Sequence, residues 1–180
     1  ASPHLAHAGT AEQKQRWLPK VISGELITAV AVTEPDAGSD VAAIRTHAKR
    51  DGDTWVLNGS KMFITNGVHA DLMFVAARTD TSAKGSRGLS IFAVKKGTPG
   101  FRVGRAWKKS GWLASDTAEL VFEDCRIPAD QLIGEENAGF YAIMRNFQTE
   151  RIALGSMAVG HCLTALDLAY RYVNERKAFG

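Results

Sequence analysis

The sequence predicts an α+β fold in which an antiparallel β-barrel or sandwich is flanked by helices. Three observations support this class: helix formers follow Thr10, short strand-like runs separated by turn signals fill residues 26–133, and apolar residues recur every three or four positions after Gly134. We therefore expect the tail of an N-terminal helical domain at 1–24, a β-domain at 25–134 and the start of a C-terminal helical domain at 135–180.

The first predicted element is a helix over residues 11–23. Thr10 is a suitable N-cap, and the following segment AEQKQRW is rich in helix formers. We expect the helix to be interrupted near Pro19 and to end at Gly24, because proline removes a backbone donor and glycine readily ends a helix.

Short strands should build the β-domain. Turns of the kind that need positive φ are expected at Asp51-Gly52-Asp53 and at Asn58-Gly59, and a polar exposed loop is expected between Thr79 and Gly88. The predicted strands cover residues 27–32, 46–50, 55–58, 61–65, 72–78, 89–94, 101–106 and 118–122.

The most informative stretch of the β-domain runs from residue 26 to 40. An apolar strand pattern there leads into a turn of Pro, Asp, Gly and Ser, in which Gly38 lets the backbone bend and Ser39 and Asp40 bring short oxygens beside free N–H groups. Such a turn suits an anion, and a ligand over the strand end would meet the Thr33 hydroxyl. An ordinary strand-to-loop junction would have the same composition.

The last element is a long amphipathic helix without proline after residue 135, with a break near Gly155 or Gly160 as one option. Glu150 lies on its apolar stripe, and Asn146, Phe147 and Leu154 at neighbouring helical positions include no cation. Its carboxylate either reaches solvent or lies in a pocket where desolvation makes it a stronger base. The residues leave both options open.

Composition excludes several other classes. The formal net charge is +3 with both signs interspersed, so no nucleic-acid-binding patch is expected. No uninterrupted apolar run approaches the roughly 20 residues of a membrane span. Cys125 and Cys162 match neither a disulfide framework nor a metal spacing, and the histidines lack ligand spacing, so we expect a reducing compartment and no metal. The chain stops inside a continuing pattern, which predicts a piece of a longer protein.

Five motifs occur in one order: VTEPDAGSD, NGSKMFITNG, SDTAELVFEDCRIP, FQTERIALGSMAVG and RKAFG. Together they resemble the acyl-CoA dehydrogenases, the flavin enzymes of fatty-acid oxidation, over nearly the whole chain. The pattern is most similar to the long-chain and isovaleryl branches. The resemblance implies the family's β-domain and helical bundle, FAD as cofactor, an acyl-CoA substrate, and an electron-transfer flavoprotein or similar acceptor.

The resemblance also implies the cofactor contacts. In the family, the first strand and turn meet the flavin ring and the pyrophosphate, a second strand supports the flavin, and two residues at the chain's end reach the FAD of a neighbouring subunit. A homo-oligomer, a dimer or tetramer, is therefore expected. The corresponding residues are Val30, Ala31, Val32, Thr33, Gly38 and Ser39 in the first strand and turn, Phe63, Ile64 and Thr65 in the second, and Arg176 and Phe179 at the end.

The substrate contacts follow in the same way. Glu150 corresponds to the catalytic base of the long-chain and isovaleryl branches, whereas most members use a Glu from a C-terminal segment. This chain has Gln148 where many members have Asp, and Phe63 where many have Trp. The implied acyl-CoA contacts are Ser39, Ser86, Arg87, Tyr141, Gln148, Thr149 and Arg151.

The implied activity is α,β-dehydrogenation of an acyl-CoA thioester to the trans-2-enoyl-CoA, in the bacterial cytoplasm or the mitochondrial matrix. Two alternatives remain open from the residues: an acyl-CoA oxidase-like flavoprotein, in which reduced flavin meets oxygen, and a non-catalytic scaffold of the same fold. The 180 residues alone are expected to be inactive.

Overall fold

The structure is a computed structural model that describes residues 2–83 and 85–180. The predicted loop from Thr79 to Gly88 includes Lys84, which lies outside the described residues. The chain divides into two compact units, Ala1–Ile143 and Met144–Gly180. The first contains two helices and the β-sheet, and the second contains most of the last helix.

Two helices begin the first unit: α1 (Ser2–Ala8), which has no counterpart among the predicted elements, and α2 (Ala11–Ile22). Thr10 caps α2 as expected, since its hydroxyl accepts from the Gln13 N–H at 3.2 Å and the Gln13 side chain accepts from the Thr10 N–H at 3.0 Å. Pro19 does not interrupt α2. It lies in the last turn, where a missing N–H costs only one helical hydrogen bond before the chain leaves the helix.

Eight strands form one sheet: β1 (Thr28–Ala31), β2 (His47–Asp51), β3 (Thr54–Thr65), β4 (Leu72–Arg78), β5 (Leu89–Lys95), β6 (Phe101–Ala106), β7 (Thr117–Pro128) and β8 (Leu132–Ile133). Their order in the sheet is β6-β7-β3-β2-β4-β5-β8, with β1 also paired to β4. Most pairs are antiparallel, as predicted, but β1 runs parallel to β4, and β2 meets β4 in a parallel contact between His47 and Arg78.

The sheet curves around one apolar core. The rings of Trp55 on β3 and Phe92 on β5 have centroids 5.1 Å apart, although β2 and β4 lie between these strands in the sheet. In a flat sheet, with about 4.8 Å between strands, they would be about 14 Å apart. Leu120 and Phe122 of β7 join the same buried cluster as Met73 of β4. The α+β class with a closed-up β-domain is therefore confirmed.

The predicted turn at Asn58-Gly59 is wrong, because β3 continues through it. Gly59 has φ of +141°, and a Cβ there would lie 2.5 Å from Thr46 Oγ1, so glycine permits close approach of the neighbouring chain within a bulged strand. The other predicted turn is confirmed: β2 ends at Asp51, Gly52 has φ of +58°, and β3 begins at Thr54.

The last helix, α3, runs from Gly139 to Glu175 without a break at Gly155 or Gly160. Its residues from Gln148 onward are exposed. α3 also has the length and composition of a membrane span, with an 18-residue window of mean hydropathy 1.5. Scattered polar residues interrupt the apolar run, so a search for an uninterrupted run does not reveal this property. One such helix is weak evidence, and the absence of a membrane span stays a prediction.

Candidate active site

Two of the predicted cofactor-binding segments lie side by side. The Met62 N–H donates to the Thr33 carbonyl at 2.8 Å, and the Lys61 ammonium donates to the Val32 carbonyl at 3.0 Å. The Asn66 side-chain amide donates to the Thr28 carbonyl at 3.2 Å. Residues 28–33 are thus hydrogen-bonded to residues 61–66, so the structure brings the two candidate flavin supports together.

A buried ion pair holds these segments. Lys61 Nζ lies 2.7 Å from Glu34 Oε1, and the two side chains are 0% and 5% exposed. The Glu34 carboxylate also accepts from the backbone N–H groups of Arg45 at 2.7 Å and Thr46 at 3.0 Å. One carboxylate therefore connects the end of the β1 segment, β3 and the loop before β2. A buried charge needs this many partners because its desolvation is costly.

The ionisation of the pair follows from burial and from the partners. Burial acts to raise the pKa of Glu34, but the charge of Lys61 and hydrogen bonds from Lys61, Thr46 and Arg45 outweigh it, so the pKa of the carboxyl lies below its usual value. Burial lowers the pKa of Lys61 to about 8, against the opposing effect of Glu34. Near neutral pH both groups are charged.

The turn after Glu34 leaves backbone donors free. The Glu34 N–H donates to the Ala37 carbonyl at 2.8 Å and the Ala37 N–H donates to the Glu34 carbonyl at 3.2 Å, which closes a tight turn. Within the described part of the chain, the N–H groups of Gly38, Ser39 and Asp40 make no backbone hydrogen bond. The Asp40 carboxylate accepts from the Ala42 N–H at 3.1 Å. Consecutive free N–H groups of this kind suit an anion.

Phe63 is held in an unusual conformation at the bulge of β3. Its φ is +58°, rare for a residue with a side chain, and the register against β7 shifts between Lys61 and Ile64. Phe63 is 57% exposed, and the centroid of its ring lies 5.2 Å from that of the Trp107 ring. The Arg105 guanidinium lies over the Trp107 ring, 4.4 Å from its centroid. Strained residues of this kind are frequent at functional sites.

The hydroxyls predicted to act as donors make no hydrogen bond within the described part of the chain. Among residues 2–83 and 85–180, the hydroxyls of Thr33, Ser39 and Thr65 have no hydrogen-bond partner, and Ser39 and Thr65 are exposed. Val30, Ala31 and Val32 lie in or directly after β1, and Ile64 is buried. The arrangement therefore presents free hydroxyls at Thr33 and Ser39, in the segment that contains the free N–H groups of the turn, and a third at Thr65, next to Asn66, which bonds to the start of β1.

The candidate substrate residues Ser86 and Arg87 lie in the loop between β4 and β5. A cleft of about 550 Å³ beside this loop is lined by Arg87, Asp80 and Asn137 among others. Ser86 is half-buried and Arg87 is exposed. At the start of α3, Tyr141 is exposed and its ring meets that of Phe140 at 5.8 Å.

The remaining predicted residues lie in the second unit. Gln148, Thr149, Glu150 and Arg151 are all exposed on α3. The Glu150 carboxylate accepts from the Asn146 amide one turn earlier, so of the two options for this carboxylate the described chain has the solvent-exposed one. Further along, Arg176 donates to the Tyr172 hydroxyl at 3.2 Å, and Phe179 is fully exposed with φ of +63°.

Glu34 and Lys61 are not among the site residues predicted from the sequence. A signal existed in β3, where inward positions alternate and place Lys61 on the same face as Trp55 and Leu57. The predicted turn at Gly59 divided the strand and concealed this alternation. No group of three or more potential metal ligands occurs in the described ranges 2–83 and 85–180.

Comparison with known families identifies the class of protein. The model for the acyl-CoA dehydrogenase middle domain matches residues 29–125, and the model for the acyl-CoA dehydrogenase C-terminal domain matches residues 137–180. The chain belongs to the acyl-CoA dehydrogenase family. The boundary between the two matches falls just before α3.

Individual relatives are similar over the whole chain. A mitochondrial long-chain specific acyl-CoA dehydrogenase of Mus musculus is 47% identical over 99% of this chain and 42% of its own length. A mitochondrial isovaleryl-CoA dehydrogenase of Pongo abelii is 44% identical over 98% of this chain and 42% of its own. The chain thus spans less than half the length of these curated relatives.

Solved structures show the same fold. An acyl-CoA dehydrogenase from Geobacillus kaustophilus superposes with a TM-score of 0.96 at 51% identity, covering 100% of this chain and 48% of that one. The structure of PigA with FAD and proline superposes with a TM-score of 0.91 at 36% identity, covering 98% and 46%. The homologous acyl-CoA dehydrogenases are flavoproteins.

Proposed function

We propose that this chain is the middle and early C-terminal part of an FAD-dependent acyl-CoA dehydrogenase that converts an acyl-CoA thioester to the trans-2-enoyl-CoA. The observation that carries the proposal is the direct hydrogen bonding between Val32 and Thr33 on one side and Lys61 and Met62 on the other. The proposed domains are residues 1–24, 25–134 and 135–180. Because the chain spans less than half of its relatives' length, the experiments below use the full-length protein.

The free donors of the site fit FAD. A flavin ring offers carbonyl oxygens and ring nitrogens to hydroxyl donors such as Thr33 and Thr65, and a pyrophosphate would meet the N–H groups at Gly38 and Ser39. Bound FAD supplies the chemistry of accepting a hydride from the substrate β-carbon. The proposed cofactor residues are Val30, Ala31, Val32, Thr33, Gly38, Ser39, Phe63, Ile64 and Thr65, with Arg176 and Phe179 acting toward a neighbouring subunit.

The protein's own task is removal of the α-proton. Glu150 is the proposed base: its carboxylate takes the proton from the α-carbon, and the C–H electron pair moves to form the new double bond as the β-hydrogen leaves. Hydrogen-bond donors at the thioester carbonyl stabilise the enolate-like charge that develops. The residues proposed to bind and orient acyl-CoA are Ser39, Ser86, Arg87, Tyr141, Gln148, Thr149 and Arg151.

The proposed electron acceptor, oligomeric state and compartment follow from the family. The electrons would pass to an electron-transfer flavoprotein or a similar acceptor, and the enzyme would be a dimer or tetramer, because Arg176 and Phe179 are expected to complete a neighbouring site. Cys125 and Cys162 are free thiols, which supports a reducing compartment such as the bacterial cytoplasm or the mitochondrial matrix. The named mammalian relatives are mitochondrial.

Glu150→Gln tests the proposal. The variant should retain FAD, since the substitution keeps the size of the side chain, but acyl-CoA should reduce the flavin about 10²- to 10⁴-fold more slowly. Stopped-flow loss of flavin absorbance, measured with CoA thioesters from butyryl to palmitoyl, gives the rate. Glu135→Gln, which changes an exposed glutamate before α3, is the matched control and should behave as wild type.

The outcomes separate the parts of the proposal. A wild-type protein without FAD, or with FAD that no acyl-CoA reduces, would refute the dehydrogenase function. Normal flavin reduction in Glu150→Gln would place the base elsewhere. Rapid reoxidation of the reduced wild-type protein by oxygen would identify an oxidase instead.

A further inference from the structure

Arg78, the last residue of β4, makes a set of contacts that no predicted role explains. Its guanidinium donates to the Ala42 carbonyl at 2.7 Å, to the Arg87 carbonyl at 3.0 Å and to the Ile44 carbonyl at 3.2 Å. Longer contacts, 3.4 and 3.5 Å, reach the carbonyls of Gly85 and Ala83. Among the described residues no carboxylate forms a salt bridge with Arg78, so its N–H groups serve backbone oxygens.

The acceptors belong to two different segments. Ala42 and Ile44 follow directly on the turn that contains Ser39 and Asp40. Gly85 and Arg87 lie in the loop that contains Ser86. The planar guanidinium presents its donors in a fixed fork, so contacts to both segments fix their separation and their relative orientation.

The loop is closed at its base independently of Arg78. The N–H groups of Thr79 and Asp80 donate to the Gly88 carbonyl at 2.8 and 3.2 Å. Gly88 has φ of +79°, and a Cβ there would lie 2.6 Å from the Asp80 carbonyl oxygen, so the closure requires glycine. Inside the loop, Asp80 Oδ1 accepts from the Ser82 N–H at 2.8 Å and from the Ala83 N–H at 3.2 Å. These bonds shape the loop, but they do not connect it to residues 42–44.

We propose that Arg78 is a positioning residue for acyl-CoA binding, because it holds the Ser86–Arg87 loop in register with the segment that follows Ser39. This inference rests on the proposed function, in which Ser39, Ser86 and Arg87 contact the acyl-CoA. Arg78 acts through backbone carbonyls and does not itself touch the substrate. Ser39 belongs to both proposed sites, so Arg78 connects the cofactor turn to the substrate loop.

Arg78→Gln in the full-length, FAD-containing protein tests this role. The amide is shorter and has one donor group in place of the fork, so the two segments should lose their connection while β4 remains paired with β5. The KM for the best CoA thioester of the panel should rise about tenfold or more, with FAD content and kcat within about twofold of wild type. Arg78→Lys, with a point charge that reaches fewer carbonyls, should give an intermediate KM.

Two controls separate positioning from general destabilisation. Arg126→Gln removes an exposed arginine that pairs with Asp51 at 2.8 Å, and Leu5→Ala opens a cavity at a fully buried residue of α1; neither should change KM. Amide hydrogen exchange provides a readout that does not depend on turnover. Exchange of the Ser82 and Ala83 amides, which donate to Asp80 Oδ1 inside the loop, should be about tenfold faster in Arg78→Gln than in wild type, and unchanged in Arg126→Gln.

Each outcome tests a separate part of the proposal. Unchanged exchange of the Ser82 and Ala83 amides in Arg78→Gln would refute the positioning role, whatever the activity. Faster exchange with an unchanged KM would refute the link to acyl-CoA binding. A wild-type protein that fails to reduce its flavin with any CoA thioester would refute the proposed function, while the exchange experiment would still decide whether Arg78 holds the loop.

Discussion

Replacing Lys61 with methionine should destabilise the β-domain strongly. The substitution removes the 2.7 Å partner of Glu34 and the 3.0 Å donor of the Val32 carbonyl, and it leaves a carboxylate that is 5% exposed with only two backbone N–H partners. Breaking a buried pair by removing one partner typically costs about 3–5 kcal/mol. We expect a loss of that size in the free energy of unfolding.

Urea unfolding of the full-length protein, followed by tryptophan emission, measures this loss. The double variant Glu34→Gln/Lys61→Met leaves no unpaired buried charge, so it should be more stable than Lys61→Met alone. Arg126→Met, which breaks an exposed pair with Asp51, should change the free energy of unfolding by at most about 1 kcal/mol. A Lys61→Met protein within about 0.5 kcal/mol of wild type, or a double variant less stable than the single one, would contradict the reasoning.

Two further predictions concern the same segments. The pKa of Glu34 lies below its usual value, so its stabilising contribution should be fully present above about pH 5 and should decline as the pH falls through the folded-state pKa. The urea midpoint should therefore fall less steeply with decreasing pH in Glu34→Gln than in wild type. Equal slopes in the two proteins would disprove this. Gly59→Ala should destabilise by about 2 kcal/mol or more, because the new Cβ would lie 2.5 Å from Thr46 Oγ1. Gly52→Ala, at another positive φ but with no atom within 4 Å, should cost about 1 kcal/mol; equal losses in urea would show that the contact with Thr46 is unimportant.

Much of the fold could be predicted because its signals are local. The β4 strand at 72–78 agrees residue for residue, since a continuous apolar run is bounded there by Asp71 and by the polar segment after Arg78. β8 has only two residues and pairs through long-range contacts with β5, so no local period reveals it. The Pro19 and Gly59 predictions were wrong because position within the element and packing against Thr46 outweigh the usual effect of these residues.

The candidate site was accessible from the sequence only in part. The hydroxyl-bearing residues and the glycine of segment 33–39 indicate an anion-binding site by their chemistry. In the sequence alone, however, a buried lysine such as Lys61 cannot be distinguished from an exposed lysine. Glu34 and Lys61 are separated by a long stretch of chain, and the contacts of Arg78 are all to backbone oxygens, which carry no residue-type signal. Such contacts depend on tertiary structure.

The bulge in β3 also determines which changes of chain length this protein can tolerate. Lys61 and Ile64 are consecutive inward-facing residues of β3. Two residues, Met62 and Phe63, lie between them, where regular alternation would place only one. Deleting one residue from this interval would restore the regular alternation and remove the bulge at which Phe63 has its positive φ. Insertions and deletions should therefore be rare between residues 61 and 64 among related sequences.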